Sequence, residues 1–182
     1  MGPTCIYAEK PKDVLDEIAA TIAHEFKNSP VVPAALASQP GPNTLRGAET
    51  NFYANASEQT FNIKLLGQKV HITATPAQYL WNYGDGTVLG PTPYPGAPLP
   101  SDRWGEKTRT SHLYRQTGDF AVSVATYFRG TYSVNGGPAL PIPGEGTFTS
   151  APLPVSVWRS VTKNYADDCN VNPNGEGCGS AP

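Results

Sequence analysis

The segment Trp81-Asn82-Tyr83-Gly84-Asp85-Gly86 constrains this chain more than any other six residues. Successive side chains of a strand point to opposite faces, so Trp81 and Tyr83 share one face and need a core to receive two large rings. Gly84-Asp85-Gly86 then turns the chain, because glycine reaches backbone angles closed to other residues and an aspartate between glycines can accept from its own turn amides. Further on, His112-x-Tyr114-x-x-x-Gly118-x-Phe120-x-Val122 leads into a second alternating strand. There Phe120, Val122 and Val124 face one way and Ala121, Ser123 and Ala125 the other. Tyr114 is placed to bury its ring and return its hydroxyl to backbone, in the manner of a tyrosine corner.

The remainder from Leu45 has the same texture. TNFYANA, TFNIKLLG, QKVHITATP, QYLWNYGDGT, GTFTS and PVSVWRSV read as short strands, broken at Gly67, Pro76 and Asn135-Gly136-Gly137. Strands at this spacing with no helices between them predict an all-β, Ig-like antiparallel sandwich. Eighteen glycines and nineteen prolines in 182 residues support the reading, since many turns are required. Residues 88–110, with Pro91, Pro93, Pro95, Pro98 and Pro100, read as a long loop across one end of the sandwich. The spacing predicts one helix, over 11–28, with Val14, Leu15, Ile18, Ile22 and Phe26 as its apolar stripe, Pro11 in its first turn, and Pro30 and Pro33 after it. A single helix of this length is marginal alone, so it packs on the sandwich or on a partner. The expected organisation is a helix and Pro-rich connector over 1–44, a sandwich over 45–162, and an irregular acidic tail over 163–182.

The two ordered motifs resemble the PKD (polycystic kidney disease repeat) family, whose signature is an aromatic strand ending in Gly-Asp-Gly followed by a His-x-Tyr-x-x-x-Gly-aromatic-x-Val strand. Trp81, Tyr83, Gly84, Asp85, Gly86, His112, Tyr114, Gly118 and Phe120 carry the match. Asn82 departs from the usual aspartate, and the stretch between the motifs is unusually long. Over roughly 45–178 the chain is also similar to small secreted PKD-containing proteins of actinobacteria. That resemblance implies export and residence at the cell envelope, and it brings no assigned chemistry with it.

Charge and motifs narrow the function. A net charge of −2 with no run of Lys or Arg offers no footprint for nucleic acid, and no apolar stretch approaches the ~18–20 residues needed to span a bilayer. His24-Glu25 would begin a zinc-protease motif, but Asn28 stands where the second histidine belongs. There is no G-x-S-x-G elbow and no phosphate-binding glycine loop. A carboxylate pair for glycoside cleavage needs only spatial proximity, and Asp85, Asp102, Glu106 and Asp119 are the candidates. Calcium is the one candidate cofactor, with Asp85 beside backbone carbonyls and Asp102 or Asp119 as further oxygen donors. No enzyme is expected.

Cys169 and Cys178 bracket a Gly- and Asn-rich stretch and read as a disulfide, whereas Cys5 stands alone. The chain opens with neither a basic nor an apolar leader, so an export signal is expected to be missing from this sequence. Asn55-Ala56-Ser57 is a formal glycosylation acceptor. Within the 88–110 stretch, Tyr94, Asp102, Arg103 and Trp104 form the candidate binding set, where flat aromatics beside polar groups suit a sugar ring or a protein hot spot. The competing expectation is that Trp104 folds back as a lid. The expected function is a non-catalytic surface module for protein interaction, adhesion or spacing, partnered by an envelope protein. The alternative is a carbohydrate-binding module that takes an envelope polysaccharide.

Overall fold

The structure, a computed structural model, describes residues 13–162, 168–175 and 178. Pro11, Cys5 and parts of the expected tail lie outside the described residues. In chain order come helix α1 (Val14–Lys27) and strands β1 (Ala35–Gln39), β2 (Asn43–Leu45), β3 (Glu49–Asn55), β4 (Gln59–Leu65), β5 (Gln68–Asn82), β6 (Val88–Thr92), β7 (His112–Leu113), β8 (Gly118–Val134), β9 (Leu140–Pro141), β10 (Gly146–Thr149) and β11 (Leu153–Trp158).

β5 and β8, of 15 and 17 residues, form an antiparallel ribbon at the centre of the large sheet. On the far side of β5 lie β4 and β6; on the far side of β8 lie β11, β10 and β9. β2 extends the sheet beyond β11 as a parallel neighbour, the one parallel pair among the described residues of a fold expected to be antiparallel throughout. A smaller sheet, in the order β1-β3-β7, packs over one half of the large one. The fold is the all-β sandwich that the strand pattern predicts.

The ribbon is continuous where the sequence suggests a break at Pro76. Pro76 pairs with Phe128 and Gln78 with Tyr127, so Ala77 is an extra residue in a β-bulge. The bulge has a consequence for the core. Val70, Ile72 and Ala74 before it and Tyr79, Trp81 and Tyr83 after it are all buried, although their numbers differ in parity. One inserted residue reverses the alternation, which keeps both sets on the face that β8 fills with Val122, Val124, Phe128 and Tyr132.

That face carries two cores. The first lies under the small sheet: Phe52, Trp81, Tyr83, Tyr114, Val122, Val124, Val155 and Val157. The second lies under α1, where Ile18, Ile22 and Phe26 meet Val70, Ile72, Phe128, Tyr132 and Ile142. The helix therefore covers the half of the large sheet that the small sheet leaves bare, which resolves its expected partner in favour of the sandwich. Phe26 seats in a dimple made by absent side chains: a Cβ on Gly130 would stand 3.0 Å from its ring, and one on Gly146 would stand 3.1 Å away.

α1 begins later than the 11–28 span predicts. Asp13 caps it, accepting from the Leu15 amide at 3.0 Å, and Asp16 and Glu17 follow at its positive end. It stops where Asn28 Nδ2 donates to the His24 carbonyl at 3.1 Å. Of the five stripe residues, only the i, i+4 row Ile18, Ile22 and Phe26 is buried; Val14 and Leu15 are 39% and 56% exposed. Two stretches expected to lack regular structure are partly strand. β1 lies in the connector and pairs along its whole length with β3, while β6 lies in the 88–110 stretch and pairs with β5.

Candidate functional site

The motif residues assemble at one end of the first core. Asn82 Oδ1 accepts from the Gly84 amide at 3.0 Å and Asp85 Oδ1 from the Thr87 amide at 2.9 Å, which closes the turn. Gly84, at φ 83°, lies so close to β8 that a Cβ would stand 2.8 Å from the Ala121 carbonyl oxygen. Gly86 takes a φ of 91° in the same turn. Asp85 Oδ2 lies 2.7 Å from His112 Nε2. The imidazole stacks on Tyr83 at 4.3 Å and meets Tyr114 edge-on at 4.7 Å, and Tyr114 in turn stacks on Phe120. Gly118 opens β8 at the rim of this cluster.

The two buried phenols anchor the backbone. Tyr114 Oη donates to the Tyr83 carbonyl at 3.0 Å, and Tyr83 Oη donates to the Thr110 carbonyl at 3.1 Å. The Tyr114 hydroxyl thus returns to backbone as expected, but to a residue just past β5 and distant in sequence. Burial raises the pKa of both phenols, with Glu49 adding to the rise at Tyr83 and Asp85 at Tyr114. Burial also pushes the Asp85 carboxyl up, but hydrogen bonds from His112 and Thr87 outweigh it and hold the group below its ordinary value.

The sequence-nominated carboxylates have separate engagements. Asp85 bonds His112, Asp119 Oδ1 accepts from Ser156 Oγ at 2.5 Å, and Glu106 pairs with Arg103 at 2.7 Å. The hydrogen bond and charge of Arg103 hold Glu106 low as well, whereas a general acid needs its pKa raised. Among the described residues, no group of three or more His, Cys, Asp or Glu side chains gathers to hold a metal ion, so Asp85, Asp102 and Asp119 do not form such a group. The histidines are apart too: His71 Nδ1 bonds Asn62 Oδ1 at 3.0 Å, and His24 lies beside Asn28.

The surface feature best suited to a ligand is a groove of about 440 Å³ lined by Pro40, Asn43, Leu45, Glu49, Trp104 and Trp158, with Thr44, Ala48 and Gly105 completing it. Its position follows from the parallel pair, because Trp158 lies opposite Leu45 in the β2–β11 register. Val155 and Val157 point into the core, so strand alternation turns Trp158 outward. Trp104 arrives from the Pro-rich stretch, just past a 3-10 turn at Ser101–Arg103. Trp104 and Trp158 are 49% and 61% exposed. Each indole N–H is spent on the protein, Trp104 Nε1 donating to the Leu99 carbonyl at 3.3 Å and Trp158 Nε1 to Asn43 Oδ1 at 3.2 Å.

The stretch presenting Trp104 is fastened along its length. Gln39 brackets Leu99, its Oε1 accepting from the amide at 2.7 Å and its Nε2 donating to the carbonyl at 3.0 Å. The buried Asn51 donates to the Ala97 carbonyl at 2.9 Å and accepts from Thr108 Oγ1 at 2.9 Å. Ala54 N donates to the Pro95 carbonyl at 2.7 Å. Ordered prolines and these bonds fix the groove's wall before anything binds.

Of the four nominated binding residues, only Trp104 lines the groove. Tyr94 lies under the Arg109 guanidinium, 4.0 Å from ring centre to carbon, Arg103 is paired with Glu106, and Asp102 is exposed in the 3-10 turn. Trp158 was not among the nominated residues; the signal that could have found it is its position one residue out of phase with the core-facing Val155 and Val157. Cys169 and Cys178 form a disulfide. Among the described residues, no helix is long and apolar enough to cross a membrane. No family model matches the chain, and no curated protein matches it.

Proposed function

We propose that this chain is a PKD-like, non-catalytic binding module that works outside the cytoplasm and grips a neutral polysaccharide of the cell envelope in the Trp104–Trp158 groove. The observation carrying this reading is the pair of half-exposed indoles on one groove, with their polar atoms already satisfied by the protein. Such rings offer flat apolar faces, and the C–H faces of a pyranose are their natural complement. Asn43 and Glu49 supply hydrogen-bonding groups at the edge. A prearranged wall removes the ordering cost that a loose loop would impose on binding. The Cys169–Cys178 disulfide supports an oxidising location.

Among the described residues Glu49 is the only charged side chain lining the groove, which disfavours uronic-acid and phosphate polymers by like-charge repulsion. Affinity electrophoresis or calorimetry against neutral and acidic envelope polysaccharides tests the proposal. Binding to a neutral polymer is expected, weakened roughly tenfold or more by Trp104→Ala and by Trp158→Ala and unchanged by Tyr94→Ala. A wild-type chain that binds no polymer, yet retains a protein from envelope extract through the same tryptophans, would replace this reading with the adhesion one.

A further inference from the structure

The edges of the two sheets are not treated alike. β2, β7 and β9 are two or three residues long, β10 has four, and β1 runs directly into Pro40. β6 contains Gly90 and Pro91. These are the ordinary devices that stop a sheet edge from pairing with another chain. β4 has none of them apart from one charge. It is seven residues long, pairs regularly with β5 from Gln59↔Ala74 to Leu65↔Gln68, contains neither Pro nor Gly, and carries only Lys64. Among the described residues it is also the terminal strand of the large sheet, and a hollow of about 420 Å³ lined by Asn62, Ile63, Lys64 and Lys69 lies beside it.

We propose that β4 pairs antiparallel with β4 of a second copy, continuing the large sheet across a two-fold axis at Asn62. The proposal is independent of the tryptophan groove. Full overlap of the seven residues places Gln59 opposite Leu65, Thr60 opposite Lys64 and Phe61 opposite Ile63 of the other copy. A two-fold axis perpendicular to the sheet keeps each face on its own side. The half-buried row Phe61, Ile63 and Leu65, which packs on the helix-covered core, therefore meets the same row of the second copy. On the outer face, Lys64 meets Thr60 and not another lysine, and like charges directly opposed are what such a pairing must avoid. Asn62 sits at the axis with its Oδ1 already held by His71 Nδ1.

The register makes a two-signed test possible at Thr60, an exposed position. Sedimentation equilibrium of the full chain is expected to show a reversible dimer. Thr60→Glu places a carboxylate opposite Lys64 twice per dimer and tightens the dimer roughly three- to tenfold, while Thr60→Lys weakens it by a similar factor. Thermal melts of both variants at low concentration establish that the monomer still folds. A wild-type chain that remains monomeric up to about 1 mM overturns the proposal. A dimer that the two substitutions leave unchanged, or shift in the same direction, places the contact elsewhere and overturns it as well.

Discussion

Asp85 Oδ2 and His112 Nε2 lie 2.7 Å apart, and that contact ties the turn ending β5 to β7, a strand of the opposite sheet. Tyr83 stacks beneath the imidazole and Tyr114 meets its edge. The residues that define the sequence motif thus form a clasp between the two sheets.

The clasp responds to acid in a definite direction. The folded-state pKa of Asp85 is lowered, while its unfolded value is about 3.9. Its contribution is therefore fully present above that value and is lost as pH falls through the folded value. Asp85→Asn is expected to cost about 1 kcal/mol at neutral pH, and the difference from wild type should close below pH ~4. Urea titrations across that range measure it, and a difference that never narrows would mean the carboxylate charge plays no part.

Removing the Tyr114 hydroxyl leaves the Tyr83 carbonyl without its donor in a buried place. Tyr114→Phe should cost about 1–2 kcal/mol with no change of fold. Denaturant midpoints with unchanged slopes are the expected signature.

The bulge at Ala77 makes a sharper prediction. Deleting Ala77 forces one half of β5 to turn its buried side chains outward, Val70, Ile72 and Ala74 on one side or Tyr79, Trp81 and Tyr83 on the other. The deleted chain should show no cooperative unfolding. Ala77→Ser keeps the residue count and should stay within about 0.5 kcal/mol of wild type. A deletion variant that melts like wild type would show that the bulge does not set the register.

Phe26 and Gly130 should be coupled. Gly130→Ala pushes against the Phe26 ring and Ile142 and is expected to destabilise by about 1–3 kcal/mol. In a Phe26→Ala background the same substitution should cost less, because the Phe26 ring is gone and only the Ile142 side chain still has to give way. A double-mutant cycle from thermal melts decides it, and equal costs in both backgrounds would separate the helix from the dimple.

The strands with clean alternation were legible in the sequence: β8 through Phe120, Val122 and Val124, and the end of β5 through Trp81 and Tyr83. β1 and β2 were hidden by their short length and the prolines that flank them, and β6 by its own Gly90 and Pro91. An edge strand tolerates proline because only one side of it needs backbone partners, and that tolerance erases the pattern a reader looks for. The candidate site was legible only in part. Trp104 stood out among prolines, but its companions Asn43, Leu45, Glu49 and Trp158 come from segments far apart in sequence.

The sequence alone determined the class of fold, the turn at Gly84–Gly86, the helix near the N-terminus and the cysteines able to pair. Each of these is a local property, set by alternation, backbone freedom or spacing within a few residues. Tertiary structure alone decided that α1 fills the bare half of the sheet, that one bulge keeps two cores on one face, and that Trp158 faces the same groove as Trp104. These depend on which distant segments share a surface. No local preference encodes that choice; it is made by burying all the apolar faces together.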